Sequence, residues 1–463
     1  MKVRNHKQAK LSLWLLVYML MYAATVTAQK KFTLADCINY AFEHNPLLNA
    51  EAKDTSIAGL GTQRVTGSYL PRINFASAFQ YYIATRKMIV EGGSVLAPSS
   101  LPDGKPLAID VGYNHTWYPT LNVNQLIFDP SYRNNYNIAL QNEQLQTQQL
   151  VSFKIDLITG LFKAFNTCKL LELQARFLEK NITRIDTLIE LTRTKFERGA
   201  GIQIEVNRVE VTGNRMRSEL ANVQGGYNEA LVALQFQMNY LEPDSMILSS
   251  DLTIAQILSN TDSLLQQLTH SHPSARIENK LLQTQIALAD ESIKLEQSRS
   301  KPVIGADGVL GFTPAANEIN KMFESERWKP YSYIGVNVGI PIFNGMDVKR
   351  AVEQKKLQAL QSRNYLEQFN IQFETERSTT YVQIQKALER FRFADANLKL
   401  ATNNIELLHE AFINGVADNQ DLILGENDLY DNQARYFNEL LELMLSEVEG
   451  HRVIGSFNTQ AGL

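Results

Sequence analysis

The sequence predicts a mainly α-helical protein that also contributes membrane β-strands, built from one unit that occurs twice. Three observations lead to this prediction. The chain carries two very long segments without proline, four segments of about ten residues in which apolar residues alternate with small or polar ones, and a recurring order of landmarks in its two halves. Each half reads helix, strand, strand, long helix, hairpin, helix.

The N-terminus has the pattern of a secretory signal. Basic residues from Lys2 to Lys10 precede the apolar run "LSLWLLVYMLMYAA", and small residues follow up to Ala28. The alternative is a transmembrane anchor, but the run is shorter than the roughly 20 residues that a span needs. We therefore expect residues 1–28 to be removed and the rest of the chain to be exported.

The two halves match in residue type and in spacing. "YPTLNVNQLIFD" at 118–129 corresponds to "YIGVNVGIPIFN" at 333–344, and a Phe-x-x-Gly segment follows each at almost the same interval, ending at Gly199 and at Gly415. We divide the chain into a first repeat (29–240), a linker segment (241–272), a second repeat (273–455) and a C-terminal tail (456–463). In the first repeat we expect strands at about 71–84 and 117–128, a long helix at 131–196 and a returning helix at 203–240. In the second we expect strands at about 302–312 and 331–343, a long helix at 346–412 and a returning helix at 418–455.

The long helix of the first repeat is supported by an apolar stripe at steps of three, four and seven residues. A helix of this length extends about 100 Å at ~1.5 Å per residue, which exceeds any globular core. It is therefore a coiled coil, a spanning rod or part of a tube. The stripe consists of Leu171, Leu178, Ile182, Ile185, Ile189 and Phe196.

Glycines interrupt the helical pattern at the end of each long helix. Gly199 and Gly415 suit a left-handed helix cap, and Gly201 follows in the first copy. A new helix starts at once, with Glu205 and Asp421 in or near its first turn, where carboxylates suit the helix dipole. These segments are predicted to be the tips of helical hairpins.

The four strands alternate in a way that is typical of membrane β-barrels. Apolar side chains from Ile73 to Ile83 and from Ile334 to Ile340 share one face, and small or polar side chains share the other. A soluble sandwich sheet alternates similarly and remains the alternative. Aromatic residues near the strand ends suggest a membrane-interface girdle: Tyr81, Tyr82, Trp117, Tyr118, Trp328 and Tyr331.

The number of strands has a further consequence. Four strands have two open edges, which hydrocarbon does not tolerate, and four are too few to close a barrel alone. The chain must therefore share a barrel, and three copies supply about twelve strands.

Several function classes are not supported. The net charge is −4 and no basic cluster with interleaved aromatics occurs, so we expect no nucleic-acid partner. We find no phosphate-binding loop, nucleophile elbow or zinc helix, and predict neither an enzyme nor a cofactor. The "LADC" at 34–37 loosely resembles a lipid-attachment box, but Asp36 stands where a small residue is needed. Cys37 and Cys168 are expected to be small buried thiols.

Taken together, these motifs resemble those of TolC-type outer-membrane efflux proteins of Gram-negative bacteria. The resemblance rests on "TLADCINYAFEHNPLLNAEA" (33–52), "YLPRI" (69–73), "NVNQLIFD" (122–129), "GIPIFNG" (339–345) and the duplicated hairpin tips. It implies a homotrimer with one twelve-stranded barrel in outer-membrane lipid, continued by a long α-helical barrel in the periplasm. It makes 241–272 an equatorial segment, together with the C-terminal residues, and makes 84–114 and 313–330 external loops.

The resemblance also implies a pore aperture at the hairpin tips. Asp421 matches an aperture carboxylate of the family, whereas the second such position is apolar here, at Leu424. Asp418 and Asp428 share the same predicted helix face. The alternative is a solvated helix N-terminus that is rich in Asp.

A latch between neighbouring hairpins is implied only in part. Glu205 matches the acidic partner of this family latch, but Ala417 stands in place of the arginine. The latch is therefore missing or rebuilt from Arg198 or Lys195.

The function implied is a passive exit duct of a tripartite efflux or type I secretion system in the outer membrane. A periplasmic adaptor (a membrane fusion protein) and an inner-membrane pump would open it at the tips. The alternative function is that of a soluble periplasmic helical-hairpin adaptor or scaffold.

Overall fold

The structure is a computed structural model that describes residues 31–241, 246–249 and 253–462. The expected signal peptide lies outside the described residues, as does part of the linker segment. The chain forms two compact units. The helical unit comprises the described residues of 1–54, 147–281 and 365–463, and the sheet unit comprises 55–146 and 282–364.

Helices dominate the chain. Their bounds are α1 Leu34–His44, α2 Pro46–Gly67, α3 Tyr132–Glu197, α4 Gln203–Met238, α5 Ile254–His270, α6 Ile277–Ser298, α7 Asp347–Ile413, α8 Asn419–Ile454 and α9 Asn458–Ala461. Short 3-10 helices occur at Pro273–Ala275, Ile319–Phe323 and Ser325–Arg327. Among the described residues, no helix combines the length and the apolar character that crossing a membrane requires.

The strands are β1 Lys31–Phe32, β2 Arg72–Tyr81, β3 Lys87–Glu91, β4 Pro106–Asp110, β5 His115–Phe128, β6 Ile247–Leu248, β7 Val303–Phe312, β8 Ala315–Ala316 and β9 Pro330–Gly339. Strands β1 and β6 pair in parallel, and β3 and β4 form a separate antiparallel hairpin. The remaining strands form one antiparallel sheet in the sheet unit.

The long helices lie within one residue of the expected bounds at each end, whereas two strands are shorter than expected. Strand β9 ends at Gly339 rather than 343, because Pro341 has no N–H to donate to a sheet. Strand β2 ends at Tyr81 rather than 84. The Tyr82 N–H still bonds the Asn114 carbonyl at 2.7 Å, and the chain then enters β3.

Among the elements that the sequence prediction missed are a β-hairpin and a helix. The 84–114 loop contains the β3–β4 hairpin, whose short strands are hidden by the surrounding Gly, Pro and Ser. The linker segment contains helix α5, which starts at a capping box: the Thr253 side chain accepts the Gln256 N–H, and the Gln256 side chain accepts the Thr253 N–H. This Thr-x-x-Gln pattern is visible in the sequence and would have indicated the helix.

The apolar stripe of α3 is buried at its centre and exposed at its end. Leu178 and Ile185 retain 4% and 0% of their exposure, whereas Phe196 retains 38%. Ile185 belongs to an apolar cluster that also takes residues from α4, α7 and α8, among them Val209, Ile405 and Leu422. The two helical hairpins of the chain therefore share a core.

Both cysteines are buried in one apolar cluster. Burial raises the pKa of the Cys37 thiol and that of the Cys168 thiol to about 12, so neither forms a reactive thiolate at neutral pH. The "LADC" segment is the first turn of α1, where Thr33 and Asp36 form a capping box. These residues therefore have a helix-starting role.

A partly buried carboxyl group joins α8 to α5. Thr261 of α5 donates a hydrogen bond to the Glu447 side chain. Burial, which outweighs this hydrogen bond, raises the pKa of Glu447 from 4.5 to about 7. Neighbouring apolar side chains of both helices, such as Leu264 and Leu443, explain the loss of solvation.

We predict that this group makes stability depend on pH. Because the folded state holds the Glu447 proton more tightly, the stabilisation is complete below pH 4.5 and is lost as the pH rises to about 7. The change in the free energy of unfolding is on the order of 3 kcal/mol. In Glu447→Gln, which keeps the acceptor for Thr261, this part of the pH dependence should disappear.

The measurement is the thermal unfolding midpoint at several pH values between 4.5 and 8, compared between the native chain and the variant. Glu442→Gln, at an exposed position on the same helix, is the control and should follow the native chain. An unchanged pH profile in Glu447→Gln would contradict the prediction.

Candidate functional site

The large sheet has the order β2-β5-β7-β9, with β8 pairing the start of β5. The strand register brings alternate residues of all four strands onto common faces. Ile73 lies opposite Val123, which lies opposite Gly308, and Gly308 lies opposite Ile334. Directly opposed residues of antiparallel strands share a face, so the separate alternations of the strands combine.

One face of the sheet is apolar and the other is polar. The apolar face carries Ile73, Phe75, Phe79, Leu121, Val123, Leu310, Ile334, Val336 and Val338. The polar face carries Arg72, Asn74, Thr120, Asn122, Asn124, Asp307 and Asn337, with a hydrogen bond of 2.6 Å from Asn337 Nδ2 to Asp307 Oδ1.

The apolar face is exposed, and the outer strands lack partners on one side. Phe75 retains 70% of its exposure and Ile334 retains 90%. Within the described residues, β2 pairs only with β5 and β9 pairs only with β7. A contiguous apolar surface of this kind indicates contact with lipid or protein, and each free edge can pair with another strand.

The six expected girdle aromatics lie on both faces of the sheet. Tyr118 lies opposite Ala78 and Tyr331 lies opposite Gly311, so both lie on the polar face. The Tyr82 hydroxyl bonds Gln80, which is also on that face. Alternation within one strand shows which of its residues share a face. Only the register between strands shows which face of the whole sheet that is.

The other three aromatics lie with the apolar face. Tyr81 lies opposite His115, and the rings of Trp117 and Trp328 meet edge to face at 5.1 Å. Trp117 Nε1 donates to Ser77 Oγ at 2.7 Å, and Trp328 Nε1 donates to the Met322 carbonyl at 3.1 Å. Their amphipathic rings remain candidates for a membrane interface.

The two hairpin tips close in the same way. Gly199 and Gly415 have φ values of 73° and 72°, the left-handed region that favours glycine. Their N–H groups donate to the carbonyls of Phe196 and Phe412 at 2.9 and 3.1 Å. Gly201 has a different reason, because a Cβ there would lie 3.3 Å from the Phe196 nitrogen.

The acidic residues of the second tip hold the start of α8. Asp418 is the N-cap: its Oδ1 accepts the N–H groups of Gln420 and Asp421 at 2.8 and 2.9 Å. Asp421 Oδ2 in turn accepts the Asp418 N–H at 3.0 Å. This capping box gives both carboxylates a structural role, whether or not they also face a pore.

Three of the four predicted aperture residues line one groove. Asp421, Leu424 and Asp428 of α8 face α7 across a groove of about 840 Å³, and Asp418 is outside it. The α7 wall includes Leu400 and Leu407, and amides of both helices contribute. The groove therefore combines two carboxylates with exposed leucines.

The first tip contacts the second through weak links. Asn419 Nδ2 donates to Glu205 Oε2 at 3.1 Å, so an amide occupies the position facing the expected acidic latch residue. Arg208 Nη1 donates to Gln420 Oε1 at 3.1 Å. Lys195 Nζ lies 4.0 Å from the centre of the Phe412 ring rather than beside Glu205.

Sequence reasoning missed a buried polar layer between the two hairpins. Arg184 Nε and Nη2 donate to the two carboxylate oxygens of Glu426 at 3.0 and 3.1 Å, and Arg184 Nη2 donates to Asn181 Oδ1 at 2.7 Å. Asn181 Nδ2 donates to Gln433, and His409 Nε2 lies 3.4 Å from Glu426 Oε1. Asn181 and Glu426 each retain 1% of their exposure, whereas the side chains of Arg184 and His409, at the edge of the layer, retain 35% and 37%. These five residues are the buried polar layer.

With this geometry in place, the chain can be compared with known proteins. Residues 38–239 match the model of the outer membrane efflux protein family. The resemblance to TolC-type outer-membrane efflux proteins is thereby confirmed over these residues. Among curated proteins, none matches the sequence.

Solved structures share the fold over most of the chain. The outer membrane protein VceC of Vibrio cholerae has 14% sequence identity and a TM-score of 0.65, with 91% of this chain and 96% of that chain covered. The outer membrane channel CmeC of Campylobacter jejuni has 15% identity and a TM-score of 0.69, with 91% and 85% covered. The open state of the Neisseria gonorrhoeae channel MtrE has 14% identity and a TM-score of 0.67, with 91% and 88% covered.

The two faces of the sheet lead to a prediction. Ile334→Arg places a charge on the apolar face and should cost about 2–4 kcal/mol if that position lies near the middle of a bilayer. Asn74→Arg, on the polar face, should cost little. Both variants are reconstituted in lipid vesicles, and the thermal unfolding midpoint of the sheet is measured. Equal destabilisation by the two substitutions would show that the apolar face does not meet lipid.

Proposed function

We propose that this protein is the passive exit duct of a tripartite efflux or type I secretion system. In this proposal three chains form one outer-membrane channel that extends into the periplasm. A periplasmic adaptor and an inner-membrane pump open it at the hairpin tips and supply the energy.

The observation that carries the proposal is the sheet, whose four long strands have one apolar face and, within the described residues, two unpaired edges. Lipid can cover the apolar face, but it cannot satisfy the free N–H and C=O groups of β2 and β9. Pairing β9 of one copy with β2 of the next removes every edge only when the ring closes. Three copies give about twelve strands, which is enough to surround a polar lumen.

The relationship to outer-membrane efflux channels supports the direction of transport, and the polar face of the sheet supports the lumen. Amide and hydroxyl side chains on that face would line a water-filled passage, as barrel interiors do. The polar groups fix no single substrate, so the pump is expected to choose it.

Two measurements test the proposal. The protein extracted in mild detergent should have the mass of a trimer by light scattering, and cell fractionation should place it in the outer membrane. A monodisperse monomer that keeps its strand content would contradict the shared barrel. Recovery only from the soluble periplasm would favour the hairpin adaptor or scaffold instead.

The aperture residues lead to a further prediction. If Asp418 and Asp421 line the closed tip, the double variant Asp418→Asn/Asp421→Asn should lower cation preference. Asparagine keeps the side-chain oxygens that accept the capping hydrogen bonds, so the substitutions remove charge without removing the cap. The readout is the reversal potential in a salt gradient across a planar bilayer. The shift toward anions should be largest at low salt.

Asp428→Asn is the comparison variant and should shift selectivity less, since Asp428 lies two turns further along α8 from the tip. A double variant with unchanged cation preference would remove Asp418 and Asp421 from the pore.

A further inference from the structure

We propose that the buried polar layer is a register lock. It fixes the rotation and axial position of α8 against α3, and it thereby decides which side chains α8 turns toward the exposed groove. The lock itself is a property of the folded chain, whereas its effect on a pore rests on the proposed function. Arg184 and Glu426 are then positioning residues for the groove.

The need for a lock follows from the periodicity of α8. Its buried positions repeat every seven residues in two series, Leu422, Leu429, Tyr436, Leu443 and Glu426, Gln433, Leu440. The first series is mainly leucine. Apolar contacts of this kind change little when one helix slides along another by seven residues, a movement of about 10 Å.

The polar layer removes this ambiguity because each partner fits only one register. In the observed register Arg184 meets Glu426, and Asn181 meets Gln433. If α8 slid by seven residues toward its own N-terminus, Gln433 would face Arg184 and Leu440 would face Asn181. The slide in the other direction would place Asn419 opposite Arg184. Either slide moves the Glu426 carboxylate, which retains 1% of its exposure, away from its position opposite Arg184, and a buried charge that loses its partner is strongly unfavourable.

The buried polar layer lies between two apolar clusters, so its polar side chains differ from those on either side of it along α8. Leu422 and Leu429 belong to one cluster, and Tyr436 and Phe437 belong to the next. Glu426 and Gln433 interrupt this apolar sequence on the buried side of α8.

The same lock sets the rotation of α8. At about 100° per residue, Glu426 lies roughly 140° around the helix from Asp421. Holding the Glu426 carboxylate in the core therefore holds Asp421, Leu424 and Asp428 on the groove side. A rotation that exposed Glu426 would carry these three residues away from the groove.

If the buried polar layer only stabilised the fold, replacing it with apolar residues would have a different effect from the one expected of a register lock. Apolar residues of similar volume often replace a buried ion pair without loss of stability, whereas the uniqueness of packing is lost when the pair specified it. The test therefore replaces Arg184 and Glu426 together and measures the distribution of distances between α3 and α8.

The experiment uses the full chain with spin labels at Glu179→Cys on α3 and Arg435→Cys on α8, both exposed positions. The native cysteines are buried and should remain unlabelled. Labelled chain is diluted with unlabelled chain, and the distance distribution is measured by pulsed electron resonance. We expect one narrow peak for the native layer. In Arg184→Met/Glu426→Leu we expect a distribution at least twofold wider or a second peak displaced by about 10 Å.

The control is Arg215→Met/Asp431→Leu. This ion pair also joins the two hairpins, at 3.3 Å between α4 and α8, but both side chains are more than half exposed. Its removal should leave the distribution unchanged. A single narrow peak in Arg184→Met/Glu426→Leu would overturn the proposal.

If that variant is not recovered folded by circular dichroism, Arg184→Gln/Glu426→Gln, which keeps polar but uncharged side chains at both positions, tests the same pair and should also widen the distribution at least twofold. An unchanged width there would equally overturn the lock. The distance measurement does not depend on pore formation, so absence of channel activity in the native protein would contradict only the proposed function. In an active channel, the same variants should show several conductance levels where the native protein shows one.

Discussion

Backbone hydrogen bonding at the edges of the sheet is the constraint on which the architecture depends. The four strands satisfy one another internally, yet β2 and β9 each present a row of unpaired backbone groups beside a large apolar face. Water could satisfy these groups, but it would also contact the apolar side chains, which is unfavourable. Lipid suits the apolar side chains but cannot form hydrogen bonds with the backbone groups. Only further strands at both edges resolve the conflict. In the proposed channel, the strands of neighbouring copies complete both edges.

The helical unit solves a different problem, which is how to keep long helices in one arrangement. Its apolar clusters supply cohesion along α3, α4, α7 and α8, but leucines that recur every seven residues supply little positional information. Buried polar groups carry that information. Arg184 with Glu426 joins the hairpins at one level, and Thr261 with Glu447 joins α5 to α8 at another.

Local patterns in the sequence predicted much of this structure, and non-local partnerships were beyond them. Helix periodicity and the absence of proline located α3 and α7, and the glycines located the tips. The capping box of α5 was visible but overlooked beside a segment with one proline and several serines. Alternation gave two faces for each strand, but the faces of Tyr118 and Tyr331 depend on register between distant strands. Glu426 likewise has its partner 242 residues away, which no local pattern reveals.

The two tips are alike in their glycines and unlike in how the next helix begins. Helix α8 starts with the Asp418 side chain bound to its first free N–H groups, whereas α4 starts at Ile202, which has no side-chain acceptor to offer. No side chain caps the first turn of α4, although the Glu205 N–H donates to the Ile202 carbonyl at 3.1 Å, and capping differences of this kind change helix-end stability by roughly 1 kcal/mol. Fraying should thus begin at the first tip. Amide hydrogen exchange would be faster at the start of α4 than at the start of α8. The end of the first hairpin would then change its shape more readily than the end of the second.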